Sequence, residues 1–262
     1  MHLVVATGLW ALMTKYCANL STLFPELPFL ERFGAARSAG FEAVEVLFPY
    51  EHPVPDMLDM LGRNELSLAM ITCPPPNYTG GERGFAAVPG RGARFQQDFR
   101  RTLRYAKALG AKHIHIMAGI AAGPEALQTF VANLRWAAEF APDHSLTIEP
   151  MADAAVPGYF LNDYVQAIEI IREVDVPHLG LQFDTCHACQ IHGDVADIWT
   201  RVKDHVTHIQ LAQSPSRSSP DVAGDIDFVK FGKQIKKDGY KGWVSGEYTP
   251  DGLTGSSLNW MV

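Results

Sequence analysis

Apolar, β-branched runs alternate with longer stretches of helical period along the whole chain. The runs YCANL, AVEVLF, LSLAMI, HIHIM, LTIEP, LGLQFD, VTHIQLA and GWVSGE are short and apolar, which predicts buried strands. Helices are expected between them at 29–40 (closed by Gly40), 56–62, FQQDFRRTLRYAKALG (closed by Gly110) and EALQTFVANLRWAAEFA. Further helices follow at DYVQAIEIIREV with Asn162 as N-cap, at 195–202, at DFVKFGKQIKKDG and in a short closing segment reaching Val262. Two long loops interrupt the rhythm, CPPPNYTGGERGFAAVPGRG after the third strand and the stretch after VTHIQLA.

Eight strand-then-helix units with no linker between them imply parallel strands. At this length they predict an α/β fold, a single-domain closed (β/α)8 TIM barrel. A doubly wound open sheet would offer a glycine-rich turn after its first strand, and NLSTLF has none. The barrel is expected over residues 15–262. Residues 1–14 are expected as an N-terminal extension outside the core, because the run from Leu3 to Met13 has no basic flank and is too short to span a bilayer.

The chemistry stands at strand ends. LTIEP carries Glu149, LQFDT Asp184, HIQLA Gln210 and WVSGEY Glu247. Side chains two apart share a strand face, so Thr147 goes with Glu149, Gln182 with Asp184, His208 with Gln210 and Ser245 with Glu247. The intervening Leu146, Ile148, Leu181, Phe183 and Ile209 are large and apolar and belong against the helices. The polar set therefore faces the barrel axis, at the C-terminal strand ends where such barrels carry their active sites. Three carboxylates in one cavity repel strongly unless they protonate or share a divalent cation. The all-oxygen set Glu149, Asp184, Gln210 and Glu247 suits Mg²⁺ or Mn²⁺ as cofactor better than Zn²⁺. One such acid would be read as a strand-end cap or an arginine partner; four in successive units favour a metal cage.

The surroundings add candidates. His187, three residues past Asp184, can hydrogen-bond a substrate oxygen or carry a proton. Arg217, Arg83 and Glu82 sit in the two long loops that overhang the same face, and arginine suits bidentate capture of a carboxylate. Glu45 on AVEVLF is expected to point inward and orient a neighbour. Cys186 and Cys189 form an isolated C-x-x-C and are read as packing, while His113 and His115 on one strand face are weak grounds for a metal.

A net charge of −7 with no basic stripe argues against nucleic acid as a partner. No segment argues for a membrane, and four scattered cysteines fit reduced thiols in a cytoplasmic protein.

NLSTLF, RSAGFEAVEVLFPY, GGERGFAAVPGR, IEP, DTCH, HIQLA and GWVSGEY together resemble the hydroxypyruvate isomerase family of xylose-isomerase-like barrels, from about Lys15 to the C-terminus. The resemblance implies an isomerase that shifts a carbonyl between neighbouring carbons of a short hydroxy-oxo acid, hydroxypyruvate or a 2-oxo-tetronate. It implies a metal-stabilised cis-enediolate with Glu149 and Glu247 as the acid/base pair, Asp184 and Gln210 completing the metal set, and His187 and Arg217 touching substrate. The expected partner is that small acid, with homo-oligomerisation left open. Around Arg217 the chain departs from the family, with Gln213, Ser214 and Ser216 in place of more typical residues and Asp221, Val222 and Ala223 in place of a glycine-rich turn. Such changes bear on the substrate more than on the reaction. A ketose 3-epimerase and a non-enzymatic sugar-acid sensor remain the alternatives.

Overall fold

A computed structural model of the chain describes residues 15–74 and 83–261. The expected extension over residues 1–14 and the candidate Glu82 lie outside the described residues. Nine parallel strands are ordered β3-β2-β1-β9-β8-β7-β6-β5-β4. They are β1 (Lys15–Asn19), β2 (Ala43–Glu45), β3 (Ser67–Leu68), β4 (Met70–Cys73), β5 (His113–Ile116), β6 (Ser145–Ile148), β7 (Leu179–Asp184), β8 (Val206–Leu211) and β9 (Trp243–Gly246).

Eight strands were expected, and the ninth arises because LSLAMI is split at Ala69. Its first part pairs with β2 and its second with β5. Backbone bonds from Val46 N to Met70 O (3.1 Å) and from Thr72 N to Leu47 O (2.8 Å) carry the ladder across the split and close the ring. The TIM barrel read from the strand-helix rhythm is therefore present.

The helices are α1 (Glu31–Ser38), α2 (Val54–Arg63), α3 (Gly92–Leu109), α4 (Pro124–Phe140), α5 (Tyr164–Val174), α6 (Thr185–His192), α7 (Val195–Val202) and α8 (Phe228–Lys237). Helix α6 was not expected, since TCHACQIH has no apolar period to betray it. Asp184 nucleates it as N-cap, accepting from His187 N at 2.8 Å. The N-cap of α5 is Asp163, not the neighbouring Asn162, and its carboxylate accepts from Gln166 N at 2.8 Å. The expected closing helix is instead two 3₁₀ turns, Thr254–Ser257 and Asn259–Met261. They are pinned by Trp260, which packs edge-on against Tyr16 at 5.5 Å and donates to Tyr248 Oη at 3.1 Å.

Packing follows the two strand faces. Leu146, Ile148, Leu181, Phe183 and Ile209 are fully buried in the main core under the helices. Phe183 meets Tyr164 at 5.2 Å and Trp199 at 5.4 Å, so each aromatic there stabilises by roughly 1.5–3 kcal/mol of burial. Small inward residues, Cys17, Ala43 and Ala69, pack together in a second cluster with Trp243 against it. The polar set fills the axis above.

The loop after β4 is held close to the end of β5. Gly84 (φ 104°) bridges Ala118, and a Cβ on it would collide with the Met117 carbonyl. Gly119 (φ 97°) meets the Gly84 carbonyl from the other side with the same constraint. This close approach places Arg83 at the mouth of the barrel. Gly84→Ala is expected to lower unfolding free energy by about 1–3 kcal/mol, read from the denaturant midpoint, since both φ and space exclude a side chain. An unchanged midpoint would show that the loop adapts freely.

Candidate active site

The inward residues converge as the parallel register requires. Asp184 stands opposite Gln210 and Gln210 opposite Ser245, while Glu149 and Glu247 lie one residue beyond β6 and β9. Glu149, His115, His187, Arg217, Arg83 and Glu247 line one cavity of about 250 Å³. Asp184 and Gln210 are fully buried just behind its wall. The structure thus gathers Glu149, Asp184, Gln210, Glu247, His187, Arg217 and Arg83 around one barrel mouth.

Arg217 is the strongest contact in the site. Its Nη2 donates to Asp184 Oδ2 at 2.8 Å and to Glu247 Oε1 at 3.0 Å, and its Nη1 reaches Asp184 Oδ1 at 3.4 Å. Burial disfavours the charged guanidinium, but Asp184, Glu247 and Glu149 more than offset this and hold its proton more firmly than usual. One cation against three carboxylates leaves excess negative charge. Glu149 is pushed well above the usual carboxyl range, first by burial and then by Asp184 and Glu247. Glu247 is pushed up to about 8, first by burial, with Arg217 opposing and Glu45 and Asp184 adding to the rise.

Glu149 is held from behind. Gln182 Nε2 donates to Glu149 Oε2 and to Gln210 Oε1, both at 2.8 Å. Gln210 Nε2 donates in turn to Glu45 Oε1 at 2.8 Å. Glu45 is inward and fully buried, and it bonds neighbours without lining the cavity.

The histidines differ in role. Ala152 N donates to His187 Nδ1 at 3.2 Å, so the neutral ring carries its proton on Nε2. Burial, against Asp184, keeps His187 neutral by lowering its pKa. In that tautomer the 3.5 Å approach of Arg217 Nη1 to His187 Nε2 joins two donors, so it is proximity and not a bond, and the Nε2–H serves the cavity. His115 Nε2 lies 3.6 Å from Glu149 Oε2, but burial lowers its pKa to about 3, so this is no ion pair. His113 sits deeper, against Ser145 Oγ at 2.8 Å. Cys186 and Cys189 are buried thiols, and burial pushes Cys186 up to about 11, which makes it unreactive.

Among the described residues no three His, Cys, Asp or Glu side chains converge closely enough to hold a metal ion as they stand. The Arg217 guanidinium is wedged between Asp184 and Glu247. The donor set nevertheless fits a hard divalent cation. Its ligands are all oxygen, Glu247 Oε2 is buried with no hydrogen-bond partner among the described residues, and the crowded carboxylates have raised proton affinities that a cation would relieve.

Sequence reasoning missed two residues. Gln182 was placed on the inward face without a role, although its position two residues before Asp184 was the available signal. His115 was set aside with His113, and only the parallel register, which sets His115 beside Thr147 and hence close to Glu149, distinguishes them.

Comparison with known proteins places this geometry. The family model for xylose isomerase-like TIM barrels matches residues 33–262. The 2-oxo-tetronate isomerase of Cupriavidus necator is 40% identical over 256 residues, 95% of this chain and 98% of its own. The hydroxypyruvate isomerase of Escherichia coli is 36% identical over 255 residues, with the same 95% and 98% coverage. A crystal structure from Brucella melitensis, described as an AP endonuclease of family 2, superposes with a TM-score of 0.90 at 36% identity, covering 95% of this chain and 98% of that one. The chain belongs to the xylose isomerase-like TIM barrel family and, within it, to the family that holds the hydroxypyruvate and 2-oxo-tetronate isomerases.

Proposed function

We propose that the protein isomerises a short hydroxy-oxo acid, moving a carbonyl between adjacent carbons, with hydroxypyruvate to tartronate semialdehyde and 2-oxo-tetronate to 3-oxo-tetronate as the two candidate reactions. The observation that carries the reading is the pair Glu149 and Glu247. Both are buried at one cavity, and in both burial and neighbouring carboxylates raise the proton affinity, which suits groups that take up and return a proton. The names and identities of the relatives support the substrate class.

The chemistry balances without an external oxidant. One glutamate takes the proton from the carbon bearing the hydroxyl, and the electron pair of that C–H bond forms the enediolate double bond. The other glutamate delivers a proton to the neighbouring former carbonyl carbon, and the hydroxyl proton passes between the two oxygens. His187 donates through Nε2–H to a substrate oxygen, and Arg83 at the mouth attracts the substrate carboxylate. Glu149, Asp184, Gln210 and Glu247 would hold Mg²⁺ or Mn²⁺, which when bound stabilises the negative charge developing on the substrate oxygens.

No described helix is long and apolar enough to cross a membrane, and the four unpaired buried thiols suit the cytoplasm. The net charge of −7 disfavours nucleic acid as substrate.

The decisive assay is proton NMR in D₂O with hydroxypyruvate, 2-oxo-tetronate and a ketohexose, each with and without Mn²⁺. Deuterium entering an acid substrate as its isomer forms is the expected result and selects the chain length. Turnover of the sugar alone would make the protein an epimerase, and no exchange in any mixture would leave only binding.

Glu149→Gln and Glu247→Gln are each expected to lower kcat about 10²–10⁴-fold with the fold intact by circular dichroism. Near-normal turnover in either would remove that residue from proton transfer.

Stability should depend on pH through the same residues. Glu247, held at about 8 in the folded protein against about 4.3 unfolded, keeps a proton that the unfolded chain has released. Its contribution is present below the unfolded value and is lost as pH rises toward 8. A divalent cation takes the proton's place, so the rise in Tm on adding Mn²⁺ should be larger at pH 8 than at pH 6. A Tm gain of equal size at both pH values, or none, would count against the metal cage.

A further inference from the structure

We infer that Glu45 is a positioning residue: through Gln210 and Gln182 it fixes the direction of two side-chain amides and aims a hydrogen-bond donor at Glu149. The inference rests on the isomerase reading for the importance of Glu149 and Gln210, but the hydrogen-bond polarity stands independently of it.

The argument begins with what each group can do. A carboxylate only accepts, whereas a side-chain amide has one donating and one accepting end. Three donors converge on Glu45. Asn19 Nδ2 (2.9 Å) and Gln210 Nε2 (2.8 Å) meet Oε1, and His208 Nε2 (2.5 Å) meets Oε2. Because Glu45 accepts, Gln210 must turn its NH₂ toward it and its Oε1 away. That Oε1 then requires a donor, which is Gln182 Nε2 at 2.8 Å. The second hydrogen of the same Nε2 reaches Glu149 Oε2 at 2.8 Å, and Gln182 Oε1 turns back to Thr147 Oγ1 at 3.4 Å.

The chain of bonds therefore has one direction, from β2 across β8 and β7 to the end of β6. Its members are buried, so water cannot heal a reversed amide. Reversing Gln210 would set its oxygen against the Glu45 carboxylate and its NH₂ against that of Gln182. Two consequences follow for the site. Gln210 presents oxygen, the end a hard cation needs, on the side away from Glu45. Glu149 has one oxygen tethered, so its carboxyl cannot rotate about its own axis.

Glu45→Gln keeps the shape but replaces an obligate acceptor with a group that serves either way, which frees Gln210 to reverse. With glutamine side chains ¹⁵N-labelled, Glu45→Gln is expected to speed hydrogen exchange at the Gln182 amide at least about tenfold, although Gln182 makes no bond to Glu45. Glu45→Asp, which keeps the accepting carboxylate, should retain more of that protection. kcat should fall about 10–100-fold in Glu45→Gln with KM little changed, as for other outer-layer partners. Combined with Gln182→Met, the loss should not exceed that of the worse single variant, because both act on one chain.

Unchanged protection at Gln182 in Glu45→Gln, equal loss of protection in the Asp and Gln variants, or losses in kcat that multiply in the double variant would each overturn the inference. An absence of turnover in the unaltered protein would defeat the isomerase reading alone, and the exchange measurement would still decide the role of Glu45.

Discussion

Arg217 gives both terminal guanidinium nitrogens to Asp184 and one of them also to Glu247, and the site is organised around this half-buried contact. Four carboxylates, those of Glu45, Glu149, Asp184 and Glu247, are buried in one barrel interior. Isolated buried charges of one sign are costly, so each needs a donor, a cation or a proton. Asp184 has Arg217 and the first turn of α6. Glu45 has three donors. Glu149 and Glu247 are under-compensated, and that unbalanced charge adds to burial in raising their proton affinity. Their raised proton affinity is thus a remainder left by the packing of the others.

Holding Arg217 in place requires the loop that carries it to be rigid. Arg217 itself is left-handed at φ 53°, and its carbonyl accepts from Thr249 N at 3.0 Å. Gln213 anchors the loop from inside. Its Nε2 donates to the Val222 and Ile226 carbonyls at 3.1 Å, and its Oε1 accepts from Ser214 N and Ile226 N. A Cβ at Gly224 would collide with this side chain. The bonds of one side chain, Gln213, therefore build the platform on which the Arg217 loop rests.

The barrel and the inward polar set were legible because burial forces them into the sequence. Phe183 and Ile209 had to be apolar against the helices, and Asp184 and Gln210 beside them could face only the axis. What stayed hidden depends on atoms and not on periods. Helix α6 is set by the Asp184 cap more than by its own composition. The break at Ala69 comes from the ring having to bond two different neighbours. The wedge of Arg217 between two acids depends on a loop whose path no local pattern dictates. Gln182 shows the limit best: its face could be read, but its two bonds required knowing which end of each amide is turned where.

The acid reading and the sugar reading differ in what the rest of the cavity offers. The lining mixes apolar Leu47, Phe48, Met117, Met151 and Val156 with Thr72, Arg83, His115, His187, Arg217 and the two glutamates. A six-carbon sugar would bring more hydroxyls into this lining than a short acid, at a cost of roughly 1–3 kcal/mol for each one left unpaired. A three- or four-carbon acid carries fewer hydroxyls and a carboxylate that suits the arginines of the lining. The small mixed lining and its two arginines therefore count toward the acid reading on grounds independent of the relatives' names.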